Sequence, residues 1–141
     1  MPNNIFNIIE IKNMGNISLK SIQNVFLNGK KLVDFNKVVP VPETINDLYD
    51  DGPFSNWHDW AIINWGISSN AYNQPENGFK SNCKKFHFTT AWKHPEKIIK
   101  LISEKLPMVT FKIAFADLDD WGNNCGEYII KNKEIINRFG D

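Results

Sequence analysis

The sequence predicts an α+β fold of the ferredoxin-like, split βαβ kind. Three observations support this prediction: two segments alternate between large and small side chains, one segment has a broad apolar helical face, and 141 residues is the usual length of one domain. We therefore expect a single domain over residues 1–141, with two helices on one face of an antiparallel sheet. A tryptophan-rich insertion at about 43–80 separates the second and third predicted strands.

The first part of the chain predicts strand, helix and strand. Residues 5–11 are rich in isoleucine and flanked by Asn and Gly, which is typical of a partly buried strand. Ser18 can cap a helix over 18–28, which a left-handed turn at Gly29 would end. Residues 32–41 read as a second strand, which two prolines terminate because proline cannot donate to a ladder.

The insertion is less regular and contains three of the five tryptophans. Ser55 can cap a short helix with apolar residues at helical spacing, and Gly66 would stop it. Residues 68–80, rich in Asn, Pro and Gly, predict a loop. We expect the aromatic side of this helix to dock on the small-residue face of the sheet. The residues concerned are Trp57, Trp60, Ala61 and Asn64 on the helix, and Thr89, Ala91, Ala114 and Ala116 on the sheet.

The second part of the chain predicts strand, helix and strand again, followed by a hairpin. Residues 85–92 and 108–116 alternate with period two, as strands do. Residues 94–106 place proline in the first helical turn and apolar residues on one broad face. The segments 126–131 and 134–139 flank a two-residue turn, which predicts a hairpin.

The charge balance and the cysteine content argue against several classes of partner and compartment. Sixteen Lys and Arg balance sixteen Asp and Glu, so no net field attracts nucleic acid or an anionic membrane. Two cysteines are too few for a secreted disulfide scaffold, and the first residues lack the features of a signal peptide. No apolar run reaches the roughly 18 residues of a membrane span. We expect a soluble, cytoplasmic protein without membrane contact, and the oligomeric state stays open.

Several short motifs follow one another in a defined order. They are Asn64-Trp65-Gly66, Asn70-Ala71-Tyr72 and Phe88-Thr89-Thr90-Ala91-Trp92, then Leu106-Pro107, a strand over 111–115 and a turn ending in Gly126. This series resembles the YubB ferredoxin-like domain family, small proteins of plasmids and phages, over most of the chain. The sequence departs from the family pattern at residues 67–69 and at Lys93 and His94. The resemblance implies a mobile-element accessory protein with an anti-defence or host-modulating role.

Residues with catalytic or metal-binding chemistry are scattered. Cys83 and His87 lie four apart, but no CxxC or HxxxH spacing accompanies them. Cys125 lies in a turn and would need a histidine base to act as a nucleophile. Four carboxylates could serve Mg²⁺ binding or proton transfer, but their position between two strands is more typical of a solvated loop: Asp117, Asp119, Asp120 and Glu127. We expect no enzymatic activity, no catalytic residue, no bound metal and no cofactor.

The tryptophans supply the candidate binding residues. Trp65 and Trp92 are expected to pack beside each other in the core, because each ring buries a large area. Trp57, Trp60 and Trp121 lie in polar surroundings and are candidates for anchoring a protein partner. An alternative is a pocket lined by Trp65, Tyr72 and Trp92 that takes a small ligand or substrate.

The predicted function is a non-enzymatic inhibitor or modulator that binds a host protein. A nucleic-acid-binding module is an alternative, since RNA-recognition modules share this topology and Phe86 and Phe88 follow two lysines. The neutral charge and the need for both phenylalanines in the core make nucleic acid the less favoured partner. A small-ligand-binding protein or enzyme with a pocket under the insertion is the other alternative.

Overall fold

A computed structural model describes residues 3–43, 56–120 and 122–140. Within these ranges five strands form one antiparallel sheet in the order β2-β1-β3-β4-β5. The strands are β1 (Asn4–Asn13), β2 (Lys85–Ala91), β3 (Thr110–Asp117), β4 (Cys125–Lys131) and β5 (Glu134–Gly140). The helices are α1 (Leu19–Phe26), α2 (Phe35–Val38), α3 (Asn56–Asn64) and α4 (Glu96–Lys105).

The centre of the sheet is a split βαβ unit. Strands β2 and β3 are both antiparallel to β1, which lies between them, and α4 connects them. This arrangement is the one that defines ferredoxin-like topology. The predicted α+β ferredoxin-like fold is confirmed.

The two faces of the sheet differ in burial, as the alternation of the strands predicts. On β1, Ile5, Asn7, Ile9 and Ile11 are buried, whereas the residues that alternate with them are partly exposed. Helix α1 packs Phe26 edge-on against Phe86 of β2, with ring centroids 5.1 Å apart. Helix α4 adds buried isoleucines to the same core. Each such side chain contributes about 1.5–3 kcal/mol on burial, so this face carries the stability of the sheet.

The second strand predicted over residues 32–41 is wrong, because α2 forms there. The carboxylate of Asp34 accepts a hydrogen bond from the backbone N–H of Asn36 at 2.9 Å and so caps a short helix. Phe35 and Val38, three residues apart, are both buried by this helix. Only Val33 keeps extended pairing, in an isolated bridge to Leu27. The tryptophan-rich segment therefore follows a helix and not a strand.

Other local predictions have mixed outcomes. Ser18 caps α1, but the helix ends at Phe26 with an extended Leu27, so the left-handed stop at Gly29 is wrong. Gly66 has a φ of 76° after α3, as its predicted role as a stop requires. Asn132 and Lys133, with φ of 49° and 70°, form the predicted turn between β4 and β5. Ser55 lies outside the described residues.

Helix α3 docks on the helix-covered side of the sheet. Trp65, just after α3, contacts Phe35 edge-on at 5.9 Å, and Phe35 contacts Phe88 of β2 in the same way. The predicted docking on the small-residue face is therefore wrong: α2, which the sequence did not reveal, offers the tryptophans an aromatic partner. No helix in the described part of the chain covers the face that contains Ala114 and Ala116.

Candidate functional site

One end of the sheet brings together several side chains that the fold leaves exposed or partly exposed. We call it the strand-end surface and define it by Tyr72, Trp92, Leu118 and Asp119. Asn3 and Asn4, the first residues that the structure describes, connect the parts of this surface through their backbone carbonyls. Trp92 donates its backbone N–H to the carbonyl of Asn3 at 2.8 Å, and Leu118 donates its own to the carbonyl of Asn4 at 2.9 Å. The ends of β2 and β3 thus flank the beginning of β1.

Trp92 is the most unusual residue of this surface. Its side chain is 60% exposed and its φ is 75°, in the left-handed region that residues with a Cβ avoid. The N–H of Lys93 donates to the carbonyl of Ala91 at 2.9 Å, so Trp92 is the central residue of a strained three-residue turn. The hydroxyl of Thr90 donates to the carbonyl of Lys93 at 2.8 Å and fixes the far side of that turn. The predicted burial of Trp92 beside Trp65 is wrong.

Tyr72 joins the surface through the outer edge of β2. Tyr72 and Thr89 exchange two backbone hydrogen bonds of 2.9 and 2.7 Å, which align the preceding loop with that edge. The Tyr72 hydroxyl then donates to Oδ1 of Asn4 at 2.6 Å. Burial, and secondarily the carboxylate of Asp119, raises the pKa of Tyr72, so the phenol remains a protonated donor.

The carboxylates after β3 have structural partners. Asp117 accepts hydrogen bonds of 2.9 Å from the side-chain amide of Asn3 and from the backbone N–H of Asp119. The hydrogen bond from Asn3 is the main cause that lowers the pKa of Asp117, so this carboxylate is ionised and held in place. Asp119 in turn accepts from the backbone N–H of Asn4 at 2.6 Å. These contacts build the turn that follows β3.

The other predicted binding tryptophans form a separate aromatic cluster. Trp65 is 1% exposed, as expected for a core residue, and its indole N–H donates to the carbonyl of Val39 at 3.0 Å. Trp57 and Trp60 are partly buried and contact Trp65 edge-on, with centroids 5.8 and 5.5 Å away. The structure therefore does not unite Trp65, Tyr72 and Trp92 in one pocket. Trp121 lies outside the described residues.

A buried polar network around His94 was not predicted from the sequence. The imidazole stacks on Phe115, with centroids 4.1 Å apart, and contacts Asn7 and Tyr128 through its two nitrogens. Burial lowers the pKa of His94 to about 3, so the ring is neutral. The sequence feature that could have revealed this network is Asn7, a polar residue at an inward position of an otherwise isoleucine-rich strand. The network is enclosed and positions the start of α4.

The remaining candidates are separate from these groups. Cys83 and His87 line a shallow cavity of about 350 Å³ at the outer edge of β2. Among the described residues, no three His, Cys, Asp or Glu side chains are grouped so that they could hold a metal ion. Phe86 and Phe88 are buried, which confirms their core role. None of the helices in the described ranges is long and apolar enough to cross a membrane.

Comparison with known proteins places part of the chain in a described family. A family model described as a ferredoxin-like domain in Api92-like protein matches residues 65–140, a range that contains Tyr72, Trp92 and the turn after β3. Neither the curated proteins nor the solved structures give a significant match. The match confirms the ferredoxin-like part of the resemblance seen in the sequence, whereas the narrower YubB assignment stays a proposal.

Proposed function

The chain belongs to the family of ferredoxin-like domains in Api92-like proteins, and we propose that it acts as a non-enzymatic protein-binding module. The observation that supports this proposal is the exposure of Trp92 on a strained turn. In line with the resemblance to YubB ferredoxin-like domains, the proposed role is that of a phage or plasmid accessory protein. It would act in the cytoplasm by inhibiting or modulating a host protein, including one that serves in defence.

The strain at Trp92 favours a role outside folding. A left-handed backbone costs a residue with a Cβ about 1–2 kcal/mol, and glycine would avoid that cost. The indole is 60% exposed, so its burial in the isolated chain offsets little of this strain energy. Tryptophan is enriched among the residues that dominate binding energy at protein interfaces. Trp92 therefore has the properties of an anchor for a partner.

The neighbours of Trp92 match the usual composition of a protein interface. Leu118, 58% exposed, adds a second large apolar side chain on the other side of β1. Asp119 and Tyr72 supply polar groups around them. An apolar centre with a polar rim is typical of protein-binding surfaces. The carboxylates of the turn would repel phosphates, which favours a protein over nucleic acid.

Affinity capture from host-cell extract tests the proposal. Wild-type protein, Trp92→Ala and Phe139→Ala are immobilised, and captured proteins are quantified by mass spectrometry. Phe139 is the matched control, because it is an aromatic residue 64% exposed on β5. We expect a specific host protein whose affinity, measured afterwards with purified components, falls about tenfold or more in Trp92→Ala. The affinity of Phe139→Ala should stay within about twofold of wild type.

Two results would contradict the proposal. The first is capture of no specific protein by the wild type. The second is a purified partner that binds Trp92→Ala as tightly as the wild type. Circular dichroism of both variants establishes that they are folded before binding is compared.

A further inference from the structure

We propose that a cavity of about 380 Å³ between Asp34 and Trp57 binds a cationic group, an ammonium or guanidinium of the kind that lysine and arginine carry. This cavity uses none of the residues of the strand-end surface, so the inference is independent of the function proposed above. Its lining residues are Asp34, Asn36, Val41, Trp57, Trp65 and Asn70.

The aromatic side of the cavity is fixed in position. Trp57 contacts Trp65 edge-on, with centroids 5.8 Å apart and planes at 88°. Trp65 is itself held by the hydrogen bond from its indole nitrogen to the carbonyl of Val39. An indole face is the best aromatic surface for a cation, because the ring quadrupole places negative charge there. Trp57 therefore offers a preformed surface.

The charged side of the cavity is also fixed. One oxygen of Asp34 accepts hydrogen bonds of 2.9 Å from the backbone N–H of Asn36 and from the side-chain amide of Asn70. The other oxygen accepts from the amide of Asn28 at 3.2 Å. All three donors are neutral, and within the described part of the chain Asp34 forms no ion pair. The carboxylate is therefore oriented without losing its charge to a cation of the protein.

The amide groups beside Asp34 are held in place by backbone hydrogen bonds. The side-chain oxygen of Asn36 accepts from the N–H of Val41 at 2.7 Å, and that of Asn70 accepts from the N–H of Phe35 and Ala71. Among the described residues that line the cavity, none is a lysine, arginine or histidine that would attract an anion. A cation, in contrast, meets a carboxylate and tryptophan side chains in this lining.

Titration with small model compounds tests the inference. The probes are the acetylated methylamides of arginine and trimethyllysine, and the neutral control is the acetylated methylamide of norleucine. Binding is followed through the indole N–H signal of Trp57 in nitrogen-15 NMR spectra. We expect saturable shifts at Trp57, with the cations binding at least about fivefold more tightly than norleucine.

Two variants localise the effect. Trp57→Leu keeps an apolar side chain without the aromatic face, and Asp34→Asn removes the charge while leaving an oxygen to cap α2. Each should weaken cation binding about fivefold or more, whereas Trp92→Ala should not change it. If a variant does not fold, the comparison of charged and neutral probes on the wild type still decides. Equal binding of norleucine and the cations overturns the inference, as do shifts that leave the Trp57 signal unchanged.

Discussion

Nε2 of His94 lies 2.6 Å from the hydroxyl oxygen of Tyr128, and both side chains are buried. The donor and acceptor roles of the whole network follow from Thr90, at the end farthest from Tyr128. Thr90 gives its hydroxyl proton to the carbonyl of Lys93, so it must accept from the amide nitrogen of Asn7. The amide oxygen of Asn7 then accepts from Nδ1 of His94, and Nε2 accepts from Tyr128. One neutral histidine thus links three strands to the turn that presents Trp92.

This network predicts that stability falls as the pH is lowered from 7 to 5. The pKa of His94 is about 3 in the folded protein and about 6.5 in the unfolded chain. Between these values the unfolded state binds more protons, so the free energy of unfolding rises with pH and is lost on acidification. The slope should approach about 1.4 kcal/mol per pH unit below the unfolded pKa, as urea denaturation at several pH values will measure.

Two histidine variants test whether His94 causes this pH dependence of stability. His94→Gln removes the buried imidazole and should give a nearly flat profile between pH 5 and 7. His87→Gln, a change at an exposed histidine, should keep the wild-type slope. A wild-type slope in His94→Gln would show that other groups control the pH dependence. Asp117 and Glu96, whose pKa values folding lowers, titrate below this range.

Tyr128→Phe should destabilise the protein by about 1–3 kcal/mol, because Nε2 of His94 would be buried without a donor. Tyr72→Phe is the matched control: it also deletes a phenol that donates at 2.6 Å, but to a partly buried acceptor on Asn4. Its cost should be about 0.5–1.5 kcal/mol. Urea denaturation at pH 7 measures both changes, and an equal or reversed order would contradict the buried network.

Gly66→Ala should be destabilising by about 1–2 kcal/mol. The φ of Gly66 is 76°, and an added Cβ would lie 2.9 Å from Cβ of Lys97, which also donates from Nζ to the carbonyl of Ile63. Gly29→Ala is the control, since an added Cβ there meets nothing within 4 Å. Gly29→Ala should change the midpoint of thermal unfolding little or raise it. A similar loss in both variants would contradict the role of Gly66 as the stop of α3.

The strands and α4 were predictable because their alternation and apolar face are local patterns. The exposure of Trp92 was not predictable, because this residue continues the spacing of Phe86 and Phe88 and would point inward in an ideal strand. The turn that exposes it depends on the distant carbonyl of Asn3 and on Thr90. The prediction of a strand over 32–41 was wrong for a similar reason: the helix cap at Asp34 is supported by Asn70, thirty-six residues away. Sequence periodicity contains no information on such contacts.

Trp92→Gly and Trp92→Ala should separate strain from binding. Both variants delete the exposed indole, but only glycine adopts a φ of 75° without steric cost. Trp92→Gly should therefore be about 1 kcal/mol more stable than Trp92→Ala, even after glycine's greater loss of chain entropy on folding. Both variants should lose partner binding to the same extent, because neither retains the ring. Urea denaturation and the affinity for the captured partner measure the two effects. If Trp92→Gly is the less stable variant, the turn does not store strain, and the reason for treating Trp92 as a binding anchor fails.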